Sequence, residues 1–177
     1  MATKGITEWS NRPDLPLYSK ITTFPPYRFV PGRAPHPVRD PAGHSFGVRQ
    51  QGPVEPMNPA DWGRNEDYLH GVDLFNRGYF WEAHEAWEPL WVALPPESPP
   101  AEFLQGLINL SASLLKIRMG ECASAVKLWN SAARLLKPFE DTVCAGIDIS
   151  RLMTDFDGFI RTMNDRPADS PVIILKH

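Results

Sequence analysis

Glu82, His84, Glu85 and Glu88 crowd one short run of the chain, set among Phe80, Trp81, Trp87 and Trp91. Imidazole and carboxylate groups so close together can exchange protons or ligate a cation. The run from Tyr79 to Leu94 reads as a helix, so its faces follow from about 100° per residue. With Glu82 at 0°, Trp87, Phe80, Trp91 and Trp81 fall at about 140°, 160°, 180° and 260°. His84 and Glu88 fall at about 200° and 240°, inside the aromatic stripe; Glu85, at about 300°, borders it, and Glu82 lies well away. A carboxylate among indole rings is costly unless it is paired, protonated or bound to a cation. His84 and Glu88 are four residues apart, hence one turn apart on the same face. That spacing lets an imidazole and a carboxylate share a divalent metal ion.

The same residues also make sense without an ion, because a His–Glu hydrogen bond can tie neighbouring helices together. A metal needs at least one further ligand, and the neighbouring helices offer no second Glu-x-x-His. Asp73, Asn76, Gln105 and two histidines nearer the N-terminus, His36 and His44, are the available groups. The amides among them are weak ligands for transition metals. Pro89, inside the same helix, cannot donate to the Glu85 carbonyl, so a kink is expected one turn after His84.

The elements that must position this helix are delimited by proline and glycine. Asn58-Pro59-Ala60-Asp61 is a helix start, with Asn58 as N-cap, and the first helix runs to about Asn76, broken near Gly63. Arg77-Gly78 makes the turn into the site helix, which ends at Pro95-Pro96. Ser98 can cap a third helix that Gly120 closes in the left-handed conformation. There Phe103, Leu104, Leu107, Ile108, Leu110, Leu114, Leu115 and Ile117 share one half of the wheel, with Ser111 the one intruder and Ser113 on the polar half. A fourth helix covers about 121–137, and a fifth runs from Asp148 or Ser150 to about Asn164. Val172-Ile173-Ile174-Leu175 reads as a packed extended tail. Short helical hairpins make this an all-α protein of about five helices in an antiparallel bundle or array.

Residues 1–57 are different. Eleven of the 19 prolines lie in residues 1–60, which precludes long helices there. Trp9, Tyr18, Phe24, Tyr27, Phe29, Val30 and Phe46 are too many apolar groups for a disordered linker. This stretch reads as a long irregular arm packed on the helical domain, residues 58–177. Its segment 27–45 holds Arg28, Arg33, Arg39, His36 and His44. These can bring His36 or His44 beside Glu88, receive an anionic group through the arginines, or simply bond to backbone carbonyls. His70 faces away from the Tyr68/Val72/Phe75 stripe and is expected in solvent. Lys127, Arg134 and Lys137 read as a solvated face, and Trp62 and Trp129 as packing residues.

With 42% hydrophobic and 22% charged residues, the 177-residue chain can bury a core. A net charge of −3 supplies no field for nucleic acid or an anionic membrane. Met1-Ala2-Thr3-Lys4-Gly5 lacks the apolar core of a secretory signal, and Cys122 and Cys144 stand alone, so a cytoplasmic setting is expected. The composition leaves room for a small-molecule substrate and for self-association.

The stretch 74–91, with Phe75-Asn76-Arg77-Gly78 followed by Glu82-Ala83-His84-Glu85-Ala86-Trp87-Glu88 and Trp91, then Phe103-Leu104-Gln105-Gly106-Leu107-Ile108, resembles the family called domain of unknown function 309. The resemblance covers about residues 65–137. It implies a small all-helical protein of a family often catalogued as metal-dependent hydrolases. It singles out Glu82, His84, Glu85, Glu88, Trp91 and Gln105, with Asn76 and Gly78 in the turn; Pro89 departs from its pattern. In this reading His84 and Glu88 hold a divalent metal ion and Glu85 is general base or third ligand. Two readings compete with it: a non-catalytic binding or interaction protein whose His/Glu/Gln cluster is a buried structural network, and a ligand pocket between arm and bundle.

Overall fold

Helix formation begins later than the Asn58-Pro59 signal suggests. In the computed structural model, which describes residues 12, 14–48, 54, 56–163 and 169–176, the Asn58 side chain accepts the Ala60 amide in a turn. Only a 3₁₀ turn, Trp62–Arg64, follows it. The working cap is Asn65, whose side chain accepts from the Tyr68 amide at 2.8 Å. Helix α1 is Glu66–Asn76, α2 is Phe80–Val92, α3 is Pro99–Met119, α4 is Cys122–Leu136 and α5 is Ile149–Thr162. Gly120 closes α3 at φ 81°, a conformation that costs any residue with a Cβ. Asp148 caps α5 by accepting from the Arg151 amide at 3.0 Å.

Consecutive helices α1 to α4 pack side by side. α3 lies between α2 and α4, which explains why Ser113, on its polar half, is not solvated. Ser111 and Ser113 are both buried, and each hydroxyl donates to a neighbour's carbonyl, Phe80 of α2 and Ala125 of α4. Tyr68, Phe75, Phe80, Trp87 and Phe103 form the centre of the core, and Trp129 of α4 stacks on Phe156 of α5.

A two-stranded antiparallel ribbon, β1 (Val143–Cys144) and β2 (Ile147–Asp148), joins α4 to α5, a feature too short for sequence periodicity to reveal. The tail packs as expected: Ile147 bridges Leu175, and Ile173 and Leu175 are buried. Both amide groups of buried Asn76 bond the Ile173 backbone at 2.7 Å.

The arm lies along α1 and the start of α2. Asp73, wholly buried, accepts the Tyr18 and Ser19 amides at 2.9 Å. Further along, Arg28 Nε donates to the Arg77 carbonyl at 2.7 Å, and the Tyr79 hydroxyl donates to Pro25. Phe29 and Val30 are buried, whereas Phe46 is exposed. His70 is not in solvent; the arm covers it with Phe24, and its Nδ1 is buried without a hydrogen bond among the described residues. Trp9, Asn164 and His177 lie outside the described residues.

Candidate functional site

Helix α2 is covered on two sides, and that determines where its polar groups lie. Phe80, Ala83, Trp87 and Leu90 enter the core. Trp81 turns toward the arm and meets Phe29 and His36 edge-on at 5.3 and 5.5 Å. The aromatic stripe is thus split between core and arm. His84, Glu85 and Glu88 occupy the strip between these layers and are half-buried, less enclosed than a place inside a single stripe would make them. α2 continues through Pro89 to Val92. Since proline has no N–H, the Glu85 carbonyl lacks its helical donor beside this strip.

The structure brings His84, Glu85 and Glu88 together: one ligand atom from each lies within 4.8 Å of the others. Donors to a single ion held at metal–ligand distances of 2.0–2.2 Å lie about 3.4 Å apart. Small side-chain rotations therefore suffice for one imidazole and two carboxylates to share a cation. Burial lowers the His84 pKa, against the pull of Glu88, so the ring is neutral at neutral pH with a lone pair to offer. Burial raises the Glu85 carboxyl; Glu88 and Glu82 raise it further, and only Arg39 of the arm opposes them. Glu88 also borders a groove of about 420 Å³ with Val54, Pro89, Val92 and Ala93.

The other candidates are placed elsewhere. Glu82, expected far from the apolar side, is only 6% exposed because the arm closes over it. Its Oε1 accepts the Phe29 amide at 2.9 Å and faces His44 Nε2 at 3.3 Å, while Oε2 is buried with no hydrogen bond among the described residues. Burial raises this carboxyl, opposed by the Phe29 amide and by His44. His44 also bonds Ser45 Oγ through Nδ1. His36 Nδ1 accepts the Val38 and Arg39 amides of its own turn. Neither arm histidine joins His84. Asn76 is engaged with the tail, and Gln105 lines a separate groove beyond Trp91.

Of two buried charges, sequence reasoning offered Asp73 only as a possible ligand and passed over Arg118. Asp73 is the anchor of the arm. Arg118 donates to the Gly78 carbonyl at 3.0 Å and covers the Phe80 ring at 4.7 Å, its pKa brought to about 10 by burial and then by Arg28. An arginine in the last turn of α3 reads from sequence as a favourable charge at a helix C-terminus, and nothing local marks its burial.

Residues 68–128 match the family model described as Domain of unknown function (DUF309). This stretch is similar to DUF309 domains. The DUF309 match starts within α1 and ends within α4, so it contains Asn76, Glu82, the His84–Glu85–Glu88 group and Gln105. The arm, with His36, Arg39 and His44, falls outside the DUF309 stretch. No curated protein matches the chain.

Proposed function

We propose that the chain is a metal-dependent hydrolase of a small-molecule substrate, with a divalent ion held by His84 and Glu88 and with Glu85 as general base or third ligand. The observation that supports this reading is the convergence of three donor groups within 4.8 Å of one another on one helix. A divalent ion there supplies Lewis acidity, which makes a water acidic and polarises the bond to be cleaved. His84, kept neutral by burial, offers nitrogen to the ion. Glu85, with a raised carboxyl, is better able to hold a proton taken from water than an ordinary surface glutamate. Val54, Pro89 and Val92 form the apolar side of the groove beside Glu88. The free thiol of Cys144 suits a reducing, cytoplasmic setting. Among the described residues no helix is long and apolar enough to cross a membrane.

A second reading, a non-catalytic protein with a structural polar network, draws support from Glu82 and Asn76, whose polar groups hold the arm and the tail. Metal content separates the two. Elemental analysis and calorimetric titration with Zn²⁺ and Mn²⁺ are expected to give one ion per chain, lost in His84→Ala. Glu85→Gln is expected to fold and to lower hydrolysis of a panel of nitrophenyl esters and phosphates by about 10²–10⁴-fold. A purified chain that neither contains stoichiometric metal nor takes up either ion rules the hydrolase out.

A further inference from the structure

We propose that the chain binds a small zwitterion, an organic cation and a carboxylate a few bonds apart, in the groove between the α2–α3 loop and the end of α4. This groove has a volume of about 720 Å³, within the range of about 300–1,000 Å³ typical of small-molecule sites. Trp91 comes from α2, Glu97 from the loop, Glu102 and Gln105 from α3 and Arg134 from α4; Leu135 adds apolar surface.

The charges on these walls are complementary to one another but do not pair. No Glu97–Arg134 or Glu102–Arg134 ion pair forms, with no carboxylate oxygen within 4.0 Å of a guanidinium nitrogen. Among the described residues the side chains of Glu97, Glu102, Gln105 and Arg134 have no hydrogen-bond or ion-pair partner in the protein. An indole beside carboxylates suits an ammonium or other organic cation. A guanidinium with an amide N–H suits a carboxylate, through charge-assisted hydrogen bonds. A ligand carrying both ends bridges what the protein leaves apart.

A separate observation concerns the backbone. Glu97 stands at φ 58° after Pro95-Pro96, a left-handed conformation disfavoured for any residue with a Cβ. Glycine would hold this turn without strain but would remove the carboxylate from the rim. Strained positions of this kind cluster at ligand sites.

The test uses the full chain with a chelator present, so that its outcome is independent of the metal reading. Ligand-observed NMR and calorimetry with β-alanine, 4-aminobutyrate and L-lysine are compared with butylamine and butyrate, which carry one end each. At least one zwitterion is expected to bind saturably, and more tightly than either control by tenfold or more. Arg134→Gln and Glu102→Gln, both on the groove rim, are each expected to weaken that binding about tenfold with the melting temperature unchanged. The proposal is overturned if no zwitterion saturates, if either one-ended control binds as tightly, or if both variants bind as the parent does.

Discussion

Glu82 and Glu85 are three residues apart on α2 and meet opposite circumstances. Glu82 is enclosed by the arm and accepts a backbone amide, which makes it a positioning group for residues 29 and 44. Glu85 borders solvent beside His84 and Glu88, where like charges accumulate and a cation would relieve them. The tightest residue-scale constraint lies behind them, at Gly71 of α1. A Cβ there would stand 2.1 Å from Nε1 of Trp87, whose indole is fully buried and donates to the Tyr68 carbonyl. In Gly71→Ala the helix gains roughly 1 kcal/mol of propensity. Displacing a packed indole costs more, roughly 1–3 kcal/mol, with a buried hydrogen bond strained besides. Urea unfolding is expected to show Gly71→Ala destabilised by about 1–2 kcal/mol, despite its better helix former.

At the scale of elements, α1 is the strut to which the arm, the tail and α2 attach. One of its faces carries Asp73 and His70, both under the arm. Burial lowers the His70 pKa, against Asp73, Asp67 and the Ile21 backbone, which raise it. Below the ordinary histidine value of about 6.5 the unfolded chain binds a proton that the folded chain resists. This group therefore favours the unfolded state increasingly as pH falls through about 6.5, until the folded pKa is passed; above that window it contributes no slope. Unfolding free energies measured between roughly pH 7.5 and 5.5 are expected to fall with acidification, and less steeply in His70→Gln. An unchanged slope in that variant would assign the dependence to other groups.

Across the whole molecule, α3 runs between α2 and α4, the arm packs on α1 and the start of α2, and the tail packs on Asn76 of α1 and on β2. Asn76 alone holds the Ile173 backbone by donor and acceptor, so Asn76→Ala leaves an N–H and a carbonyl without partners. Each such group costs roughly 1–3 kcal/mol when buried. Opening the tail to water is the cheaper outcome. Hydrogen exchange is accordingly expected to rise at residues 172–175 in Asn76→Ala while α2 and α3 keep their protection. Helix identities, the Gly120 and Pro95-Pro96 boundaries and the packed tail were legible in the sequence, because proline, glycine and apolar periodicity act through local backbone geometry. The residues of the candidate site were legible too, since His84, Glu85 and Glu88 are neighbours on one helix. Which side of that helix each residue faces was decided by tertiary structure alone. Two layers, core and arm, cover α2 from different directions, and a helical wheel assumes one. Hence Glu82, set well away from the aromatic stripe by the wheel, is buried, and the Asn58 cap yields to Asn65, whose side chain accepts the Tyr68 amide where α1 begins.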